Sequence, residues 1–251
     1  MLRAVLFDLG DTLLDFEPMD TRALFRRAAR LTYDDLAARG VTPMPEFERY
    51  TRTYFRGVKW AYFWAKLRRR EFNSLDLLRQ FHRRMGLPTD DAMLRELAWR
   101  WYEPVIEHTR VEEGLAGTLA ELSRRAAGLR LGVISNTFVP GFVHDRQLEM
   151  VGLLEHLPVR VYSSEVGFRK PDRRIFEAAL SQLGVGARET LFVGDLIKTD
   201  IIGARRMGMR TALKQPFANL RPHRIADHVI RRISDLSELV GALTAPPRTG
   251  K

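Results

Sequence analysis

Leu2-Arg-Ala-Val-Leu-Phe7-Asp8-Leu-Gly10-Asp11-Thr-Leu13 decides the fold of this chain. A short, nearly continuous apolar run climbs to Phe7 and stops at a carboxylate. Such a run, without polar alternation, suits a strand covered on both faces, as in a parallel sheet. An acid placed where that strand ends stands at the rim of the sheet rather than in its core.

Three further runs have the same shape. Residues 131–134 precede Ser135, residues 159–162 precede Ser163, and residues 191–193 precede Gly194-Asp195. Residues 211–213 and 228–230 are weaker strand candidates. Helical spacing separates these runs. In 171–183, Phe176, Ala179, Leu180 and Leu183 share a face, with Pro171 at the start and Gly184 at the end, the punctuation expected of a helix. Residues 114–127 and 199–207 read similarly. Strands alternating with helices imply right-handed βαβ units and a doubly wound sheet.

Residues 15–110 behave differently. They carry helix-like apolar spacing and no clear strand, broken by turn signals at Arg39-Gly40, at 41–45 and at 86–89. The expected fold class is therefore α/β: a Rossmann-like doubly wound parallel sheet with an inserted α-helical cap. The core comprises 1–14 plus 111–243 and the cap 15–110, with 244–251 a disordered tail.

A chain of 251 residues with 45% hydrophobic content can bury such a core unaided. The absence of cysteine excludes disulfides, thiolate metal sites and cysteine catalysis. No apolar run approaches the roughly 18–20 residues of a membrane span. The N-terminal residues are too quickly charged for a signal peptide, so a soluble, cytoplasmic protein is expected. The formal charge of +10 favours an anionic partner. Its basic residues are spread along the whole chain, which reads as solvated arginine faces rather than a nucleic-acid footprint.

In an open α/β sheet, ligands bind beyond the carboxyl ends of the strands. The strand ends here offer Asp8, Ser135-Asn136 and Asp195, with Asp200 close behind. Carboxylates and a hydroxyl on one edge, beside a lysine, suit a divalent cation and a phosphate: magnesium takes a few carboxylate or carbonyl oxygens plus substrate phosphate.

Four segments then carry a specific resemblance. Phe7-Asp8-Leu-Gly-Asp-Thr-Leu13, Val133-Ile-Ser135-Asn-Thr137, Lys170 within Gly167-Phe-Arg-Lys-Pro-Asp172, and Val193-Gly-Asp195-Leu-Ile-Lys-Thr-Asp200 onward to Met209 resemble, in order and spacing, the four motifs of the haloacid dehalogenase superfamily. The resemblance implies a magnesium-dependent hydrolase of small phosphorylated metabolites. In it Asp8 attacks phosphorus and forms an aspartyl-phosphate. Ser135 and the Asn136 amide bind the transferring phosphoryl group, and Lys170 offsets its charge. Asp8, Asp195 and the Gly10 backbone carbonyl hold Mg²⁺, while Asp200 holds its waters or orients Lys170.

One position departs from that pattern. Phosphatases of the superfamily carry an acid/base Asp two residues after the nucleophile, where this chain has Gly10. Asp11 either substitutes through a shifted loop or is a turn residue. Two alternatives to the phosphatase reading follow from Gly10: a binding protein with impaired turnover, and a dehalogenase, which has no need of the spaced acids Asp195 and Asp200.

The insertion is rich in aromatics, among them Tyr50, Tyr54, Phe55, Trp60, Tyr62, Phe63 and Trp64, followed by Arg68-Arg69-Arg70. The helical spacing of Trp60, Phe63, Trp64 and Leu67 is read as an apolar face packing the cap helices, ahead of a base-stacking role. The six histidines show no metal-ligand spacing and receive no role. Nothing in the sequence decides between a monomer and a homodimer.

Overall fold

The computed structural model describes residues 1–125, 128–215 and 224–244. The chain begins with β1 (Ala4–Phe7), every residue of which is buried. A two-residue strand β2 (Asp15–Phe16) leads into four helices, α1 (Thr21–Ala38), α2 (Phe47–Arg68), α3 (Ser74–Met85) and α4 (Asp91–Ile106), and β3 (Thr109–Arg110) leads out. Then come α5 (Leu115–Arg125), β4 (Arg130–Ser135), α6 (Gly141–Met150), β5 (Val159–Tyr162), α7 (Ser163–Val166) and α8 (Arg173–Leu183). The chain continues with β6 (Thr190–Gly194), α9 (Ile202–Arg206), β7 (Arg210–Lys214), β8 (His228–Ile230) and α10 (Leu236–Thr244).

Six strands form one parallel sheet in the order β5-β4-β1-β6-β7-β8. All six runs read as strands in the sequence lie in it, including the two weaker ones. Side chains of β1 alternate between faces, as strand geometry requires. Val5 and Phe7 join α5, α6 and α10 through Leu119, Leu122, Leu148 and Val240. Ala4 and Leu6 face α8 and α9 through Ile175, Phe176, Ala179 and Ala204. Each fully buried large apolar side chain contributes about 1.5–3 kcal/mol, so covering both faces holds β1 at the centre. The chain runs outward from β1 through β4 and β5, then crosses back to β6. The crevice this reversal creates lies at the carboxyl ends of β1, β4 and β6.

The helix read over 171–183 spans Arg173–Leu183, its N-cap Asp172 accepting from the Arg174 amide and its end at left-handed Gly184. The helix read over 199–207 instead starts with a π-type turn, Ile197–Ile201, before α9. That over 114–127 spans Leu115–Arg125; its last two residues lie outside the described residues, as does the expected tail beyond residue 244.

Residues 15–110 carry no strand pattern, yet β2 and β3 pair antiparallel at their two ends, Asp15 with Arg110 and Phe16 with Thr109. Two-residue strands are too short to show a period, which is why no pattern marked them. Buried Lys214 at the end of β7 anchors this pair, donating to the Thr12 carbonyl at 2.8 Å and to Asp15 at 2.6 Å.

The four helices share an apolar cluster that includes Leu36, Tyr50, Tyr54, Leu78, Phe81, Leu94 and Leu97, joined by Val143 of α6. Tyr54 is its aromatic hub, with ring centroids 4.9 Å from Tyr50, 5.0 Å from Phe81 and 5.1 Å from Trp101. The expected apolar face over 60–67 is not part of it. Trp60, Phe63, Trp64 and Leu67 are 58, 56, 41 and 64% exposed. Helical spacing says which residues share a face, not whether a neighbour covers it. The last turns of α2 run past their neighbours, with Ala65 the one buried residue beyond Tyr54. No helix among the described residues is long and apolar enough to cross a membrane.

Candidate active site

Asp8 follows β1, Ser135 ends β4, and Asp195 follows β6, so the pairing of these three strands delivers the residues to one edge. Register makes this close: Phe7 lies opposite Val133 on one side and Val193 on the other. The Asp8 amide donates to the Val193 carbonyl at 2.8 Å, extending the ladder one residue beyond β1. Carboxylate oxygens of Asp8, Asp195 and Asp200 lie within 4.8 Å of one another.

Lys170 reaches this cluster from the loop before α8. Its Nζ lies 2.6 Å from Asp8 Oδ1 and 2.8 Å from Asp200 Oδ1, and its side chain is 1% exposed. Burial alone would strip the ammonium of its proton, but the two carboxylates outweigh it and hold the lysine charged. Asp200 is fully buried, and its second oxygen accepts the Leu196 amide at 2.9 Å. Asp200 thus bonds Lys170 with one oxygen and closes the turn after β6 with the other. The turn demands glycine at 194, where a Cβ would stand 2.6 Å from Asp200 Cβ.

The remaining acids are uncomfortable. Burial raises Asp8, and Lys170 offsets this only in part. Asp195 is pushed up to about 7, first by burial and then by the charges of Asp8 and Asp200. Asp195 Oδ1 and Thr199 Oγ1 are buried with no hydrogen-bond partner among the described residues. Oxygen donors crowded this closely, one of them buried and unpartnered, fit a hard divalent cation.

A cavity of about 290 Å³ opens over the cluster, lined by every residue read as a site candidate: Asp8, Gly10, Asp11, Ser135, Asn136, Lys170, Asp195 and Asp200. Two of them also bond to neighbouring backbone. The Asn136 side chain brackets the Lys170 backbone, donating to its carbonyl at 3.0 Å and accepting its amide at 2.7 Å, so it positions the lysine loop. Asp11 is left-handed (φ 54°), and its Oδ1 accepts the Phe16 amide at 3.1 Å. Those are the contacts of a turn residue.

Other residues of the site carried no role in the sequence. Phe16, Tyr102, Thr137 and His144 also line the cavity. His144 Nε2 lies 2.9 Å from Thr137 Oγ1, and its ring stacks on Tyr162 at 5.4 Å. Glu71, from the turn between α2 and α3, has its side chain fully buried. It pairs with Arg169 at 2.9 Å and accepts from Ser163 Oγ at 3.0 Å. Ser163 in turn accepts the Thr137 amide at 2.8 Å. A lone histidine or glutamate in a helical stretch gives no periodic or motif signal; only the fold brings these groups to the strand ends.

The profile of haloacid dehalogenase-like hydrolases matches residues 2–208. The ribulose-1,5-bisphosphate 5-phosphatase of Halopiger xanaduensis is 26% identical, over 96% of this chain and 100% of that protein. The glyceraldehyde 3-phosphate phosphatase of Pyrococcus abyssi is 27% identical, over 84% and 80%. Among solved structures, a 2-haloacid dehalogenase from Pseudomonas syringae pv. Tomato DC3000 superposes with a TM-score of 0.64 at 26% identity, covering 98% of this chain and 100% of that one. With the profile spanning most of its length over this fold and this cluster of strand-end acids, the chain belongs to the haloacid dehalogenase-like hydrolases.

Proposed function

We propose that this phosphatase of the haloacid dehalogenase superfamily hydrolyses small-molecule phosphate monoesters through a phosphorylated Asp8, with magnesium at the carboxylate cluster. The observation that carries it is the convergence of Asp8, Asp195 and Asp200 within 4.8 Å beside a buried, charged lysine. A dehalogenating carboxylate has no need of the two further acids.

Asp8 is the nucleophile: its Oδ1 is held by Lys170 while the carboxylate faces the cavity. Lys170 draws charge from the reacting oxygens and is itself steadied by Asp200 and by Asn136. The Ser135 hydroxyl and the Asn136 backbone amide receive the phosphoryl oxygens. Magnesium, held by Asp8, Asp195 and the Gly10 carbonyl, with Asp200 behind it, would neutralise the phosphate so that an anionic carboxylate can approach it. Helices α1–α4 act as a cap that shields this edge from water and shapes the space for the alcohol.

The test is phosphate release from a panel of phosphorylated metabolites, with and without magnesium, alongside Asp8→Asn. Release that needs magnesium and falls at least about 10³-fold in Asp8→Asn is expected, on the scale of losing a nucleophile. Halide release from 2-haloacids without metal would replace this reading with dehalogenation.

A further inference from the structure

The side of the cavity away from the carboxylates receives the alcohol half of the ester, and its chemistry is specific. Phe16, Tyr102, Val105 and Val139 supply apolar wall to the cavity. Two polar groups of that lining are bonded to neighbours. Tyr102 gives its hydroxyl proton to Gln147 Oε1 at 2.8 Å. His144 bonds Thr137, and its burial lowers it to about 4, so the ring is neutral. The backbone at Gly10 is covered by a ring: a Cβ at that position would lie 3.0 Å from Phe16 Cε2. An acidic side chain there would need the Phe16 ring to give way by a few tenths of an ångström. Asp11, next along, holds the Phe16 amide with Oδ1. Asp8, Asp195, Asp200 and Lys170 form the charge cluster on the phosphate side.

We propose, on the reading of the chain as a phosphatase, that its substrate is the monophosphate of an acidic, largely apolar hydroxyl compound, a phenol or an enol. The Asp8 carboxylate attacks phosphorus, and the bond from phosphorus to the ester oxygen breaks. The electron pair departs with that oxygen as an aryloxide or enolate, which takes no proton from the protein. Water then attacks phosphorus and displaces Asp8 as its carboxylate, and both hydrogens of the water leave with the dihydrogen phosphate that forms. Acid catalysis contributes about 10²–10⁴-fold when a leaving alcohol needs it. A leaving group stable as an anion forgoes that contribution, and an apolar one fills the wall built by Phe16, Tyr102 and Val105.

The experiment is a leaving-group series with magnesium present: substituted phenyl phosphates, naphthyl phosphate and primary alkyl phosphates. For the wild type, kcat/KM is expected to fall steeply as the leaving group becomes more basic, with alkyl esters at least about 10²-fold below phenyl phosphate. Naphthyl phosphate is expected to show a lower KM than phenyl phosphate. The pair Gly10→Asp with Phe16→Ala, which makes room for an acid, is expected to flatten the series by raising alkyl turnover. Should that pair fail to fold, the wild-type series still decides. Alkyl esters cleaved as fast as aryl esters would overturn the substrate class while leaving the phosphatase reading intact. Absence of magnesium-dependent release from every ester would overturn that reading and the substrate class together.

Discussion

Charge at the strand ends is arranged so that each polar atom has one task. Lys170 spends its charge on Asp8 and Asp200, Asp200 spends its second oxygen on the Leu196 amide, and Asp195 keeps a buried oxygen unpaired. His144, on the far wall, is a neutral spacer whose Nδ1 is buried without a partner among the described residues. Burial lowers it from 6.5 to about 4, with Asp145 opposing weakly. The folded protein thus resists protonating this ring, whereas the unfolded chain accepts the proton near pH 6.5. Stability from the neutral ring is complete above pH 6.5 and is lost as pH falls from 6.5 to about 4. At 1.36 kcal/mol per pKa unit, about 2 kcal/mol should disappear between pH 7 and pH 5. Urea unfolding of the wild type and His144→Gln at both pH values measures this. Equal losses in the two proteins would remove His144 as the source.

At the scale of elements, α2 is divided by what its neighbours cover. Its first half buries Tyr50 and Tyr54 among the other helices, and its second half leaves Trp60, Phe63 and Trp64 in solvent. Truncating a fully packed aromatic costs about 3–5 kcal/mol, while exposed positions usually change stability by less than about 0.5 kcal/mol. Tyr54→Ala is therefore expected to lose at least about 3 kcal/mol in denaturant unfolding. Trp60→Ser should stay within about 0.5 kcal/mol of the wild type. A comparable loss for Trp60→Ser would place that residue in a packed interface. The same division bears on legibility. The strands could be read because a doubly covered strand must be apolar throughout, and all six candidates lie in the sheet. The exposure of 60–67 could not be, since an amphipathic face looks alike whether a partner helix covers it or ends short of it.

Across the whole molecule, the turn between α2 and α3 is tied to the loops that present the site. Glu71 pairs with Arg169, the residue before Lys170, and meets Ser163, which holds the Thr137 amide just past Ser135-Asn136. Phe72 stacks on Phe138 at 5.2 Å beside this junction. Breaking a buried pair by removing one partner typically costs 3–5 kcal/mol. Glu71→Ala should thus destabilise by about 3 kcal/mol or more, and a cycle with Arg169→Ala should show a coupling of about 1–3 kcal/mol. Additive losses would mean that the insertion and the lysine loop are energetically independent.

By itself the amino-acid order determined the parallel sheet, the helical character of 15–110 and the identity of every strand-end acid. Those properties are local: apolar runs, helical spacing and motif residues are written in consecutive positions. Tertiary structure alone decided that Asn136 brackets Lys170, that Phe16 covers Gly10, and that His144, Tyr102 and Glu71 reach the cavity or its loops. The Phe16 contact closes within one loop, but the others depend on residues far apart in the chain meeting at the sheet edge. That distance is closed by hydrophobic burial, which is non-directional and leaves no mark on any single stretch of sequence.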